Sequence, residues 1–386
     1  MSDGLSTAPK KLSGRIPVTI VTGFLGSGKT SLINAALKAP GMSGTVVVVN
    51  EFGEVSLDHA LMTESNDTVI VLENGCLCCT VRSDLISTLN SLYHSRLSGS
   101  VPAFDNVVIE TSGLAEPGPI LQAFLSEPTL DGLYRVASVV TLVDAVNWAS
   151  TILEHDEALR QVALADQVLI TKLDLLADKP GGAERDLRLA VAKLAPAATI
   201  RALDREPAAI ARLLRAEGFD AGNPKADPRH WIDLAAHQAS HASHDEHDHD
   251  FRLRGKAVES FVLLRTDPLS RAELQFLLDG ITQNLGPRLL RVKGLVNVAE
   301  EPGRPAVIQG VQHLLHTMTW LERWPDADQR TRIVFITQGI VRKSLLEVVE
   351  TLDRMSARTF KARERGRLAR ELAAQEPAKP GRTSDQ

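Results

Sequence analysis

The sequence predicts an α/β domain built on a mostly parallel sheet, followed by a smaller α+β domain, and three observations carry that prediction. Short β-branched runs alternate with helix-period segments from Pro17 to about Ile210, the pattern of a parallel sheet covered by helices on both faces. From about Ala221 to Gly255 the periodicity is lost and Gly, Pro, Asp and His accumulate, which is linker composition. At Ala257 a second pattern starts in which strands outnumber helices. The length agrees, since 386 residues at roughly 150 per domain make two or three domains, each with its own core.

In chain order, strands are expected at Val18–Gly23, Thr45–Asn50, Thr68–Leu72, Asn106–Glu110, Val136–Asp144 and Gln167–Thr171, with helices opening at Lys29 and near Val81. The second domain is expected to open with a strand at Val258–Arg265 and a helix at Leu269–Leu285. Strands then follow around Leu289–Val298, Ala306–Gln309, Val311–Thr319 and Arg332–Thr337, and a helix after Val341. The expected organisation is a disordered N-terminus (1–15), a phosphate-binding α/β domain (16–220), a His-rich linker (221–255), an α+β domain (256–358) and a charged tail (359–386). There is no internal repeat.

Composition narrows the function classes. The chain is 44% hydrophobic and 24% charged with a net charge of −5, an ordinary globular balance without the positive field that nucleic acid or an anionic membrane requires. Lys361, Arg363, Arg365, Arg367 and Arg370 do cluster in the tail, but Glu364 and Glu371 interrupt them and no aromatic residue is interleaved for base stacking. Apolar runs such as Val46–Val49 fall far short of the roughly 18 residues a membrane span needs. The polar N-terminus lacks an apolar signal core, so a cytoplasmic location is expected.

The segment Gly23-Phe-Leu-Gly26-Ser27-Gly28-Lys29-Thr30 matches GxxxxGK[ST] between a strand and a helix, the context in which backbone N–H groups converge on phosphate oxygens. Lys29 would stand beside the β- and γ-phosphates, the Thr30 hydroxyl would ligate Mg²⁺, and Ser31 follows as a further binding candidate. Glu110-Thr-Ser-Gly113 offers a carboxylate for the Mg²⁺ shell and a glycine N–H to sense the γ-phosphate, with Asp144 as a competing carboxylate more suited to a structural role. Thr171-Lys172-Leu173-Asp174 occupies the place where guanine-binding proteins carry Asn-Lys-x-Asp. Asp174 can accept from guanine N1–H and N2–H while the Lys172 stem lies along the base. A helix-capping role for Asp174 is the structural alternative.

The only cysteines are Cys76, Cys78 and Cys79, within one loop after a predicted strand. Adjacent cysteines make a strained disulfide, and three thiolates leave a tetrahedral Zn²⁺ one ligand short. Glu51, Glu54, a linker histidine, water or a partner protein can supply the fourth, and an open position allows metal to be handed on. The alternative is three small buried hydrophobes. In the linker, His230, His237, His241, His244, His247 and His249 are interleaved with Asp245, Asp248 and Asp250, a spacing suited to transient coordination of Zn²⁺, Co²⁺ or Ni²⁺.

Taken together, GFLGSGKT, NEFGEVSLDHAL, ENGCLCCT, VIETSGLAEP and TKLD, continued by FVLLRTDPLSRAEL and RIVFIT, resemble the CobW family of GTPases over most of residues 15 to 355. The acidic residue that often precedes the Asn of NEFGE is Val49 here. The resemblance implies a GTP-hydrolysing metallochaperone that carries Zn²⁺, or in some branches Co²⁺ or Fe, on its CxCC motif and delivers it to a client metalloprotein. Two other classes compete: a metabolite kinase using the phosphate loop, and a metal store indifferent to nucleotide. No arginine finger can be identified, so a client or a second subunit would supply one, and a homodimer is one such assembly.

Overall fold

The computed structural model describes residues 14–50, 69–71, 79–176, 182–216, 258–315 and 318–340, with single helical positions at 347, 350, 351 and 354, and the side chains of these apart from 50, 69–71 and 79–82. The first domain runs β1 (Ile16–Gly23), α1 (Lys29–Leu37), β2 (Thr45–Asn50), β3 (Val69–Val71), α2 (Cys79–Ser98) and β4 (Asn106–Thr111). It continues with α3 (Gly118–Ser126), α4 (Pro128–Leu133), β5 (Tyr134–Asp144), α5 (Trp148–Glu154), α6 (Asp156–Ala163) and β6 (Gln167–Thr171). It closes with α7 (Ala183–Leu194), β7 (Thr199–Ala202) and α8 (Pro207–Leu214).

Among the described residues the seven strands form one sheet in the order β3-β2-β4-β1-β5-β6-β7, every pairing parallel. The central strands are buried on both faces, which is why β2 reads as an unbroken valine run and β1 and β5 as near-continuous apolar runs broken only by a few polar residues rather than alternating ones. One face packs Ile20, Val48 and Ile109 against α2 and α3 through Leu85, Leu89 and Phe124; the other packs Val21, Val47 and Val108 against α1 and α8. β7 was not predicted. It is a four-residue edge strand, Thr-Ile-Arg-Ala, too short to carry a periodic signal.

The second domain comprises β8 (Val258–Arg265), α9 (Arg271–Leu285), β9 (Leu289–Val296), β10 (Ala306–Val311), β11 (Leu314–Leu315), β12 (Thr319–Trp320) and β13 (Thr331–Gln338). Its strands form an antiparallel sheet, β11-β10-β9-β13-β8, with β12 also on β10. α9 starts later than expected because Ser270 caps it: the Ser270 hydroxyl accepts from Glu273 N–H and the Glu273 carboxylate accepts from Ser270 N–H. Leu274, Leu278 and Ile281 then pack on Phe261, Ile308 and Phe335. The single strand expected at Val311–Thr319 is corrected to a turn and two short strands. Gln312 adopts φ 55°, and the chain reverses so that Val311 pairs with Leu314.

The domains meet along a seam at the N-terminal end of β6. Ala163, Leu290 and Ile336 form a small apolar cluster, and beside it the Asp166 carboxylate accepts from Arg291 at 2.8 Å, from Lys293 and from Val139 N–H at 2.8 Å. Burial alone would raise the Asp166 carboxyl, but Arg291 and Lys293 outweigh it and hold it well below the usual range. Burial and the neighbouring Arg291 push Lys293 down to about 8, against the attraction of Asp166.

Candidate functional site

β1 lies between β4 and β5, so the chain leaves its C-terminal end at a point where connections diverge to opposite sides of the sheet, the usual place for a ligand crevice. The loop Gly23–Gly28 turns there into α1, with φ 72° at Gly26 and 98° at Gly28. Gly23 is required by space as well: a β-carbon on it would sit 2.5 Å from the Leu142 carbonyl oxygen on β5. No side chain caps α1 and no acidic residue occupies its first turn, leaving its N-terminal N–H groups and dipole to an anion.

Lys29 bends back over its own loop and donates to the carbonyls of Gly23 at 2.9 Å and Phe24 at 3.4 Å. One residue on, the Thr30 hydroxyl donates to Glu110 Oε1 at 2.6 Å, and Glu110 is 4% exposed at the end of β4. A hydroxyl and a buried carboxylate meeting beside a phosphate loop form the oxygen-donor pair that a hard divalent cation takes. Asp144 is used differently. It accepts from Lys172 at 2.7 Å, from Asn147 Nδ2 at 2.8 Å and from Val146 N–H at 2.9 Å, and these bonds outweigh its burial and lower its pKa.

The loop after β4 is pressed against the phosphate loop. A β-carbon on Gly113 would lie 2.6 Å from Leu25 Cδ2 and 2.9 Å from Leu25 Cα, so only glycine fits. A hydrogen bond of 2.8 Å between Thr111 and Thr22 ties the two strand ends together. On the other side, the Thr171 hydroxyl donates to the Ser27 carbonyl at 3.0 Å, which anchors the Thr171–Asp174 segment to the phosphate loop. Lys172 has φ 58°, its ammonium is on Asp144, and Asp174 is exposed and paired with Arg205 at 2.8 Å.

The structure therefore brings together Gly23, Gly26, Ser27, Gly28, Lys29, Thr30, Glu110 and Gly113, with Ser31 following on α1 and Lys172 and Asp174 on the adjoining loop. Cys79 opens α2, close to the helix start expected near Val81, but its side chain is outside the described residues. Cys76, Cys78, Glu51, Glu54, His237, His241, His244, His247 and His249 all lie outside the described residues. Among the described residues no group of three or more His, Cys, Asp and Glu side chains is placed to hold a metal ion, and no helix is long and apolar enough to cross a membrane.

Sequence reasoning missed two groups. The Thr171 tether was visible only as Thr replacing Asn. Arg160 and Gln161, which hold the loop after Gly113, sit in an ordinary amphipathic helix that carries no motif.

Residues 17–201 match the CobW/HypB/UreG nucleotide-binding domain, and residues 258–352 match the cobalamin synthesis protein cobW C-terminal domain. The chain is 31% identical over 323 residues to zinc chaperone YjiA of Escherichia coli, covering 83% of this chain and 93% of that one. It is 30% identical over 362 residues to zinc chaperone CobW of a Sinorhizobium species, covering 86% and 95%. The crystal structure of a zinc-bound triple mutant of the YjiA GTPase superposes with a TM-score of 0.65 at 25% identity, over 88% of this chain and 99% of that one.

Proposed function

Because the chain belongs to the CobW/HypB/UreG family, we propose that it is a GTP-driven metallochaperone, which takes Zn²⁺ as cargo on Cys76, Cys78 and Cys79 and passes it to a client metalloprotein. GTPase activity is the family's chemistry and is the chain's own. The observation that carries the site assignment is the contact of Thr30 with buried Glu110 directly behind Lys29. The oxygen pair of Thr30 and Glu110 fits Mg²⁺, which when bound neutralises charge on the β- and γ-phosphates. Lys29 exchanges the Gly23 and Phe24 carbonyls for phosphate oxygens, and Gly113, packed on Leu25, is poised to donate its N–H to the γ-phosphate. The oxygen of water bonds to the γ-phosphorus and the bridging P–O bond breaks, its electron pair leaving with GDP while the water's protons pass to phosphate and solvent.

Asp174 supplies guanine selectivity. Its pair with Arg205 is largely exposed on both sides, the kind worth about 0–1 kcal/mol, so the base can displace it. Zinc as cargo is supported by the two relatives named zinc chaperones, with Co²⁺ as the competing ion. The CxCC motif lies in sequence between β2 and β4, and Asn50 at the end of β2 pairs with Thr111, which bonds to Thr22 at the start of the phosphate loop, so hydrolysis can be felt on both sequence flanks of the motif.

Competition with a chelator at fixed pH tests the reading. Zn²⁺ affinity should differ about 5- to 150-fold between GTP-analogue and GDP states, and Cys78→Ala should erase that difference while retaining GDP binding. Equal affinities would leave a zinc store. Lys29→Ala should abolish GTP turnover, which tests the hydrolytic half separately.

A further inference from the structure

α6 touches three parts of the molecule. At its N-terminus His155 stacks on Phe24 of the phosphate loop, with ring centroids 4.4 Å apart. In its middle, the Gln161 side-chain amide donates to the Gly113 carbonyl at 3.0 Å and to the Ala115 carbonyl at 2.9 Å, and Arg160 pairs with Glu116 of the same loop. From the same turn Arg160 also donates to Gln338 of the second domain at 3.0 Å, and just beyond the helix Arg291 donates to the Leu164 carbonyl. Gln161 is 1% exposed, an unusual place for a glutamine unless its amide is used. Its backbone carbonyl is committed too, accepting from the Thr141 hydroxyl on β5 at 2.8 Å, so the helix is held against the sheet at the residue that grips the loop.

Gln161 Oε1 and Ser27 Oγ are both buried with no hydrogen-bond partner among the described residues. Both residues line one cavity of about 20 Å³ behind the phosphate loop, room for a single bridging water. One side chain thus clamps the loop that carries Gly113 and borders the loop that carries Lys29.

We propose that Gln161 is a positioning residue for GTP hydrolysis. By holding the carbonyls of Gly113 and Ala115 it fixes the backbone directly after the γ-phosphate-sensing glycine, and so the place of that glycine on the phosphate loop, without touching nucleotide itself. Losing the clamp leaves phosphate and base contacts in place but lets the Gly113 N–H wander from the transition state, so turnover falls while ground-state binding persists. This inference rests on the GTPase reading above.

The test compares Gln161→Met, which fills similar volume without a donor, and Gln161→Glu, which keeps the shape but faces two carbonyl oxygens with a carboxyl. In Gln161→Met, kcat for GTP should fall about 10- to 100-fold while KM and GDP affinity stay within about threefold. A purely structural role would instead lower thermal stability and GDP binding together. In Gln161→Glu the defect should shrink as pH falls from about 8 to 5.5, because protonation of the introduced carboxyl restores one O–H donor. A wild-type kcat in either folded variant, or a Gln161→Glu defect that does not shrink at low pH, overturns the assignment while wild-type turnover keeps the GTPase reading intact. A wild-type protein without GTP turnover would overturn both.

Discussion

The two ends of the parallel sheet are held by different means. At the C-terminal end, the phosphate loop is a single stretch from Gly23 to Thr30, and its partners Glu110 and Gly113 belong to one strand end. At the N-terminal end, Asp166 meets Arg291 and Lys293 across 125 and 127 positions of sequence. The first arrangement depends on backbone shape, with glycines where a side chain would collide. The second depends on charges that are buried together and individually ordinary. Substitutions should therefore fail differently: at the nucleotide end in turnover and affinity, at the seam in stability.

Asp166→Ala should have the largest effect, leaving Arg291 and Lys293 buried against each other without their shared carboxylate. A destabilisation of about 3–5 kcal/mol is expected in urea unfolding, with GDP affinity of the folded protein within about twofold of wild type. The seam also sets an acid limit. The Asp166 carboxyl lies below its unfolded value, so its contribution is complete above about pH 4 and is lost as pH falls further. A variant whose unfolding midpoint matches wild type would show that the apolar cluster alone holds the domains.

Gly113→Ala should come next, with the opposite signature. The added methyl must displace Leu25 or the loop itself, at a cost of about 1–3 kcal/mol, read as a loss of about 5- to 150-fold in kcat/KM for GTP with a smaller shift in unfolding midpoint. Unchanged kinetics would mean that the loop after β4 does not sense nucleotide. The smallest effect is expected from Thr171→Val, which keeps the shape but strips the hydroxyl from the Ser27 and Val143 carbonyls. About 1 kcal/mol, or roughly a fivefold rise in the Kd for GTP, is expected by equilibrium titration. An effect on stability instead of affinity would move the tether from the site to the core.

Much of this was legible in the residues. The strands of the first domain carry runs such as Val46–Val49 because a parallel sheet buries both faces, and these runs announce themselves without tertiary information. Lys29, Thr30 and Glu110 were found as parts of motifs, and the structure sets Thr30 against Glu110 rather than Asp144. The errors fell where local pattern is weak. β7 is an edge strand of mixed residues, and the run Val311–Thr319 has strand composition but reverses at Gln312. Ser270 was folded into a helix that it in fact caps.

The sequence by itself determined the α/β alternation, the phosphate loop and the family, since each depends on residues close in the chain whose spacing the backbone converts directly into geometry. Only the tertiary structure decided that Asp144 belongs to Lys172, that Thr171 ties one loop to another, that Gln161 grips the loop after β4, and that Asp166 joins the domains. Those contacts link positions far apart in sequence through ordinary polar side chains. Burial is what makes them strong, and burial is settled only when the whole chain has packed.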